Sequence, residues 1–208
     1  VNTIPIAVLI GVTCAFTWSC DRAAGAPTAG FWFNGDRFVV PNGLMSAFDE
    51  PIEDAEVESI KQLARAEIER AFSGLRIAII PSPHAFWSVQ VLQSLPVRRN
   101  KQLPIAGESL ALGLLGGTGT VGFDIVATKA IRYAPDGASR QRVLEGIGRG
   151  IGRVAVHEFM HQMLGAAAGD NAADSNSYEY GSPDRASQYY GELHWSTAWP
   201  LLHEKFGT

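Results

Sequence analysis

Cysteine is nearly absent from this chain. Its two cysteines, Cys14 and Cys20, both fall within the first twenty residues, which excludes a disulfide framework and a four-thiolate zinc site. Basic charge is also scarce. Seventeen Lys and Arg are outnumbered by 21 Asp and Glu, and the densest basic cluster is only Arg98, Arg99 and Lys101. The net charge of −4 gives no electrostatic footprint for nucleic acid. The chief apolar run, Ile4 to Phe16, is too short to span a bilayer comfortably and contains a Pro and a Gly. No fixed-period repeat recurs, so solenoids, propellers and coiled coils are excluded. What is present is the balance of one packed globular domain: 208 residues, 46% hydrophobic and 18% charged.

Residues 1–20 carry no charged side chain, the first charge is Asp21, and small residues follow at Ala23, Ala24, Gly25 and Ala26. This pattern predicts an export leader over residues 1–26 and a single domain over 27–208. Lipidation of Cys20 is one form of that expectation, giving a membrane-attached envelope protein; cleavage and secretion is the other. The bland reading of the same run is a buried N-terminal strand. The expected protein is a monomer.

Along the domain, Phe31 to Pro41 reads as a hairpin turning at Asn34-Gly35. A long amphipathic helix is predicted over Ile52–Phe72, with Val57, Ile60, Leu63, Ala64, Ile68 and Phe72 inside and Glu58, Lys61, Arg65 and Glu69 outside. Leu75–Ile80 and Phe86–Leu92 read as strands, residues 96–118 as loop, and Val121–Tyr133 as a long strand or strand pair. A second helix is predicted from about Ser139 to Leu164. It carries glycines at 146, 148, 150 and 152, each costing about 1 kcal/mol in a helix interior, so either something packs closely there or the helix breaks. A polar irregular stretch and an aromatic helical tail from Glu192 to Phe206 complete an α+β chain. Gly117-Thr118-Gly119-Thr120-Val121-Gly122 formally matches a dinucleotide fingerprint. That reading is set aside, because the following residues read as strand, and the segment is expected to be a flexible loop.

The chemistry lies in His157-Glu158-Phe159-Met160-His161. On a helix the two histidines stand one turn apart on one face, so both imidazoles can reach one metal ion. Glu158 sits beside them as candidate general base, taking a proton from a water that zinc makes more acidic. With 5 His and 12 Glu in the chain, chance produces this spacing with an expectation of roughly 0.7%. The motif also lies among Val154, Ala155, Phe159, Met160, Met163 and Leu164, where polar side chains are costly unless paired or metal-bound.

In this motif and in the order of elements before it, the chain resembles the zincin metallopeptidases. The resemblance implies a small mixed β-sheet, a long N-terminal helix, an active-site helix bearing HExxH, and an edge strand that binds an extended peptide, expected within Val121–Tyr133. It implies Zn2+ as cofactor and a peptide or protein as substrate. The HExxHxxGxxH pattern of the metzincins is not met, since Ala167 stands where its third histidine would be. The nearest branch is the aspzincins, in which an Asp in a Gly-containing turn completes the ligand set. Gly169-Asp170 offers that residue, with Asp174, Glu179, Glu192 and His194 as alternatives. The branch also implies a Tyr that steadies the transition state. Tyr178 is the first candidate and Tyr180 the second, against a plain reading of both as loop aromatics. His194 or Glu192 could instead brace the ligands. His84 and His203 have no expected role.

The expected activity is therefore zinc-dependent peptide hydrolysis, through His157, His161, Asp170, Glu158 and Tyr178. The rival expectation is a non-catalytic envelope protein with a structural metal at the same motif. The two differ in ligand count: three protein donors leave a position for chemistry, while four close the site.

Overall fold

The computed structural model describes residues 26–41, 48, 50–95, 106–111 and 116–207. The expected export leader, including Cys20, lies outside the described residues apart from Ala26. No helix among them is long and apolar enough to cross a membrane.

Five strands form one mixed sheet: β1 (Thr28–Phe33), β2 (Ala78–Ile80), β3 (Trp87–Leu92), β4 (Gly107–Ala111) and β5 (Gly117–Gly122). Their spatial order is β2-β1-β3-β5-β4. The first four in that order run parallel, and β4 runs antiparallel along β5, with Ser109 opposite Gly119. The mixed sheet and the surrounding helices agree with an α+β chain.

Two long helices lie on the sheet. Helix α1 (Asp54–Ala71) starts in a capping box between Glu53 and Glu56 and buries Ile60, Ala64 and Ile68, as the periodicity predicts. Helix α3 (Arg140–Leu164) is capped by Ser139, whose hydroxyl accepts from the Arg142 amide at 3.2 Å. It runs unbroken through all four glycines because each faces a close neighbour. A Cβ at 148 would stand 2.7 Å from Leu63 Cβ, and one at 152 would stand 2.5 Å from the Ala64 carbonyl oxygen. Gly146 and Gly150 make room for the rings of Tyr190 and Tyr189 in the same way. The second of the two sequence alternatives, a broken helix, is excluded.

Helix α3 is fixed to the sheet by Gln162. Its buried amide donates to the Ser88 carbonyl and accepts from the Ser88 N–H, both at 3.1 Å, and it lies over Gly117 and Gly119 of β5. This clamp brings the HExxH turns against β4.

Several sequence expectations are corrected. Residues 31–41 are not a hairpin: β1 takes parallel partners on both sides, and beyond Asn34 the chain leaves the sheet. There Val39 pairs with the side-chain amide of Gln93, at 2.8 and 2.9 Å, in place of a strand. The stretch 121–133 holds the end of β5 and helix α2 (Phe123–Arg132). Phe123, Val126, Ala127, Ala130 and Ile131 are all buried, a helical spacing that β-branched residues made look like strand. The edge strand is instead β4, in a region expected to be loop. The Gly117–Gly122 segment is strand β5, not a flexible loop. Its glycines lie under Gln162 and Leu95 rather than cradling a phosphate. The tail expected over Glu192–Phe206 is helical only in α5 (Ala198–Phe206), and a short helix α4 (Ser187–Tyr190) precedes it.

Candidate metal centre

Three donor atoms converge at the C-terminal end of α3. His157 Nε2 and His161 Nε2 are 3.0 Å apart, and Asp170 Oδ1 lies 3.1 Å from the second and 3.3 Å from the first. The helix supplies the two rings one turn apart, edge to face at 4.6 Å. Gly165 then ends the helix with φ +56°, a left-handed conformation that suits glycine. A single 3-10 turn over Gly165–Ala167 reverses the chain and returns Asp170 to the rings. Among the described residues this is the one His/Cys/Asp/Glu group able to hold a metal ion.

His157 Nδ1 lies 2.9 Å from the Tyr178 carbonyl oxygen. A carbonyl only accepts, so Nδ1 carries the proton and Nε2 turns its lone pair toward His161 and Asp170. The three atoms are close enough to share one proton, carried by His161 Nε2 as a donor, or one cation. The electrostatics of the three groups are correspondingly coupled. Burial depresses His157, yet its hydrogen bond to Asp170 and the charge of Glu158 hold it above the ordinary imidazole value. Burial and the neighbouring His157 push His161 down. Asp170 is lowered by its hydrogen bond to His157 and by the charges of both rings.

Glu158 is 5% exposed, and burial raises its carboxyl above the usual carboxylate range. It reaches the inner strand wall: Ser109 of β4 hydrogen-bonds to it, and a Cβ at Gly107 would stand 2.6 Å from its Oε1. His157, His161, Asp170 and Glu158 line one open groove of about 1150 Å³. Its walls are β4, the outer face of α2 (Ile125, Thr128, Lys129, Arg132) and residues 180–184. Side-chain exposure rises from 14% at His157 to 57% at Asp170, so the centre opens to solvent.

The other candidate ligands are engaged elsewhere. Asp174 Oδ2 pairs with His194 Nε2 at 2.8 Å. Glu179 is fully buried and accepts from the Ser196 and Thr197 amides at 2.6 and 2.9 Å, in the turn that leads into α5. Glu192 pairs with Arg70 at 2.7 Å on the surface. The expectation that the Tyr178 hydroxyl serves an oxyanion is corrected by its direction. It donates to Glu67 Oε1 at 3.1 Å, inside the helix layer, while its carbonyl serves His157. Tyr180 lines the groove, with the Arg185 guanidinium over its ring at 4.6 Å.

Sequence reasoning missed Ser109 and Glu67. Ser109 sits in a strand read as loop, and Glu67 is an acidic residue at an inward position of α1, a breach of the helix pattern that could have marked it. Comparison of the chain with family models, curated proteins and solved structures returned no match.

Proposed function

We propose that this protein is a zinc-dependent metallopeptidase of zincin type. The observation that carries the reading is the triangle of His157 Nε2, His161 Nε2 and Asp170 Oδ1, with sides of 3.0, 3.1 and 3.3 Å. Donors bound tetrahedrally to zinc at about 2.0–2.1 Å stand roughly 3.3 Å from one another, so the set fits that ion with little movement. Two neutral imidazoles and one carboxylate are also donors that zinc accepts at a catalytic site. When bound there, zinc supplies Lewis acidity to a water and to a substrate carbonyl.

The chain's own groups do the rest. Glu158, desolvated and held by Ser109, is the base that takes a proton from water and returns it to the leaving amine. Its raised pKa suits both transfers near neutral pH. Tyr180 takes over the oxyanion role first given to Tyr178: both residues line the groove, but the Tyr178 hydroxyl is turned to Glu67, while that of Tyr180 has no hydrogen-bond partner among the described residues. Strand β4 ends the sheet, and its outer edge borders the groove. An extended peptide laid there can add a strand. The rival structural-metal reading needs a fourth protein donor, and His194, the residue expected to supply it, is held by Asp174.

A peptide-library digest by wild type beside Glu158→Gln, both at matched zinc content, tests the proposal. Cleavage by the wild type alone is the expected result. No cleavage by either protein, or equal cleavage by both, contradicts it.

A further inference from the structure

Behind the triad lies a buried charge cluster that the hydrolytic reading does not use. Glu67 of α1 is 5% exposed and Arg153 of α3 is 1% exposed. They pair at 2.9 Å, and Arg70 adds a second cation to the same carboxylate oxygen at 2.6 Å. Arg153 also donates to the carbonyls of Ser187 and Gly191, at 2.6 and 3.0 Å, so it fastens the end of α4 to the helix pair. A buried ion pair alone is weak grounds for a role, since apolar residues often serve as well. What distinguishes this one is its third partner: Glu67 Oε1 accepts the Tyr178 hydroxyl at 3.1 Å. The same Tyr178 gives its carbonyl to His157 Nδ1 at 2.9 Å. Its own N–H is bound to the His194 carbonyl at 2.9 Å, and its ring packs on Trp195.

We propose that Glu67 and Tyr178 are positioning residues for His157. Glu67, fixed by two guanidinium groups, anchors the far end of the Tyr178 side chain. That anchor sets the height and direction of the Tyr178 carbonyl, and the carbonyl holds His157 in the tautomer with hydrogen on Nδ1. His157 Nε2 is thereby presented as a lone pair toward the metal position. The chain of contacts runs Arg153–Glu67–Tyr178–His157, and it starts and ends on α3 one turn apart. The proposal deepens the metal-centre reading and rests on it for its zinc readout, but not for its tautomer readout.

Tyr178→Phe removes only the hydroxyl and leaves Glu67 paired with both arginines, so it isolates the link. In the zinc-free protein at pH 9, long-range nitrogen–proton NMR reads the His157 tautomer directly. Wild type is expected to show hydrogen on Nδ1, and the variant a mixture of tautomers. Zinc titration of the variant is expected to show about tenfold weaker binding, the scale found when a group orienting a metal ligand is lost. An unchanged tautomer with unchanged zinc affinity overturns the proposal. So does a large loss of turnover at full zinc occupancy, which would return the hydroxyl to the oxyanion role. If wild type binds no zinc, the metal-centre reading fails, while the tautomer comparison still decides the positioning claim. Glu67→Gln, whose amide oxygen can still accept from Tyr178, is expected to retain the wild-type tautomer in whatever fraction folds.

Discussion

Asp170 and Gly181 are packed so closely that a Cβ on residue 181 would stand 2.1 Å from Asp170 Oδ2. Gly181 therefore leaves the space into which the carboxylate folds on its way to the histidines. Gly181→Ala is expected to displace Asp170 and weaken zinc binding by about tenfold or more. Because residue 181 is exposed, the thermal midpoint of the zinc-free variant should stay near that of wild type. Isothermal titration beside a melting curve checks both halves.

The ligand assignment separates two aspartates four residues apart. Asp170→Asn is expected to abolish stoichiometric zinc binding, because it removes the one anion among the described residues within 3.3 Å of both rings. Asp174→Asn breaks only the pair with His194 and should leave zinc content unchanged. Metal analysis of the two purified variants distinguishes them.

Proton competition at the centre has a definite sign. His157 must be neutral to bind a metal, and its pKa is raised from the ordinary 6.5. Zinc affinity should therefore fall as pH drops through a range that begins above 6.5. Titrations at pH 7 in buffers of different ionisation enthalpy should show net proton release, with less at pH 9. Without zinc the linkage runs through folding. The raised His157 contributes stability that is complete below 6.5 and lost as pH rises through its folded value. Asp170, lowered from 3.8, contributes stability present above 3.8 and lost as pH falls through its folded value. The difference in urea midpoint between zinc-free wild type and Asp170→Asn should be greatest between those limits.

Helix packing gives a test independent of any chemistry. Gly152→Ala improves helix propensity by about 1 kcal/mol, yet its Cβ would meet the Ala64 carbonyl oxygen at 2.5 Å. Overpacking of that kind costs about 1–3 kcal/mol, so denaturant unfolding should show net destabilisation. A more stable variant would mean that α1 and α3 do not approach this closely.

Much of the centre was readable because its parts are local. Two histidines and a glutamate on one apolar helix announce themselves by spacing, and Asp170 follows after a single turn. Helices α1 and α3 were equally plain, since a 3.6-residue period and capping residues are properties of short windows. Strand β4 was not, because Gly107–Ala111 has no alternating apolar pattern and is defined by pairing with β5. Helix α2 misled for the opposite reason: Ile125, Val126 and Ile131 favour strands, while the burial of Phe123, Val126, Ala127 and Ala130 follows a helical period. Tyr178 was found by residue type but given the wrong direction for its hydroxyl. Its partner Glu67 lies 111 positions away, beyond what any local pattern reveals.

X-ray absorption at the zinc edge, on protein loaded with one zinc per chain, tests the central claim most directly. The expected spectrum has two imidazole ligands, oxygen donors at about 2.0–2.1 Å and no sulfur, with one imidazole fewer in His161→Ala. A sulfur ligand, four imidazoles, or a spectrum unchanged by that substitution would contradict the assignment of His157, His161 and Asp170 as the metal centre.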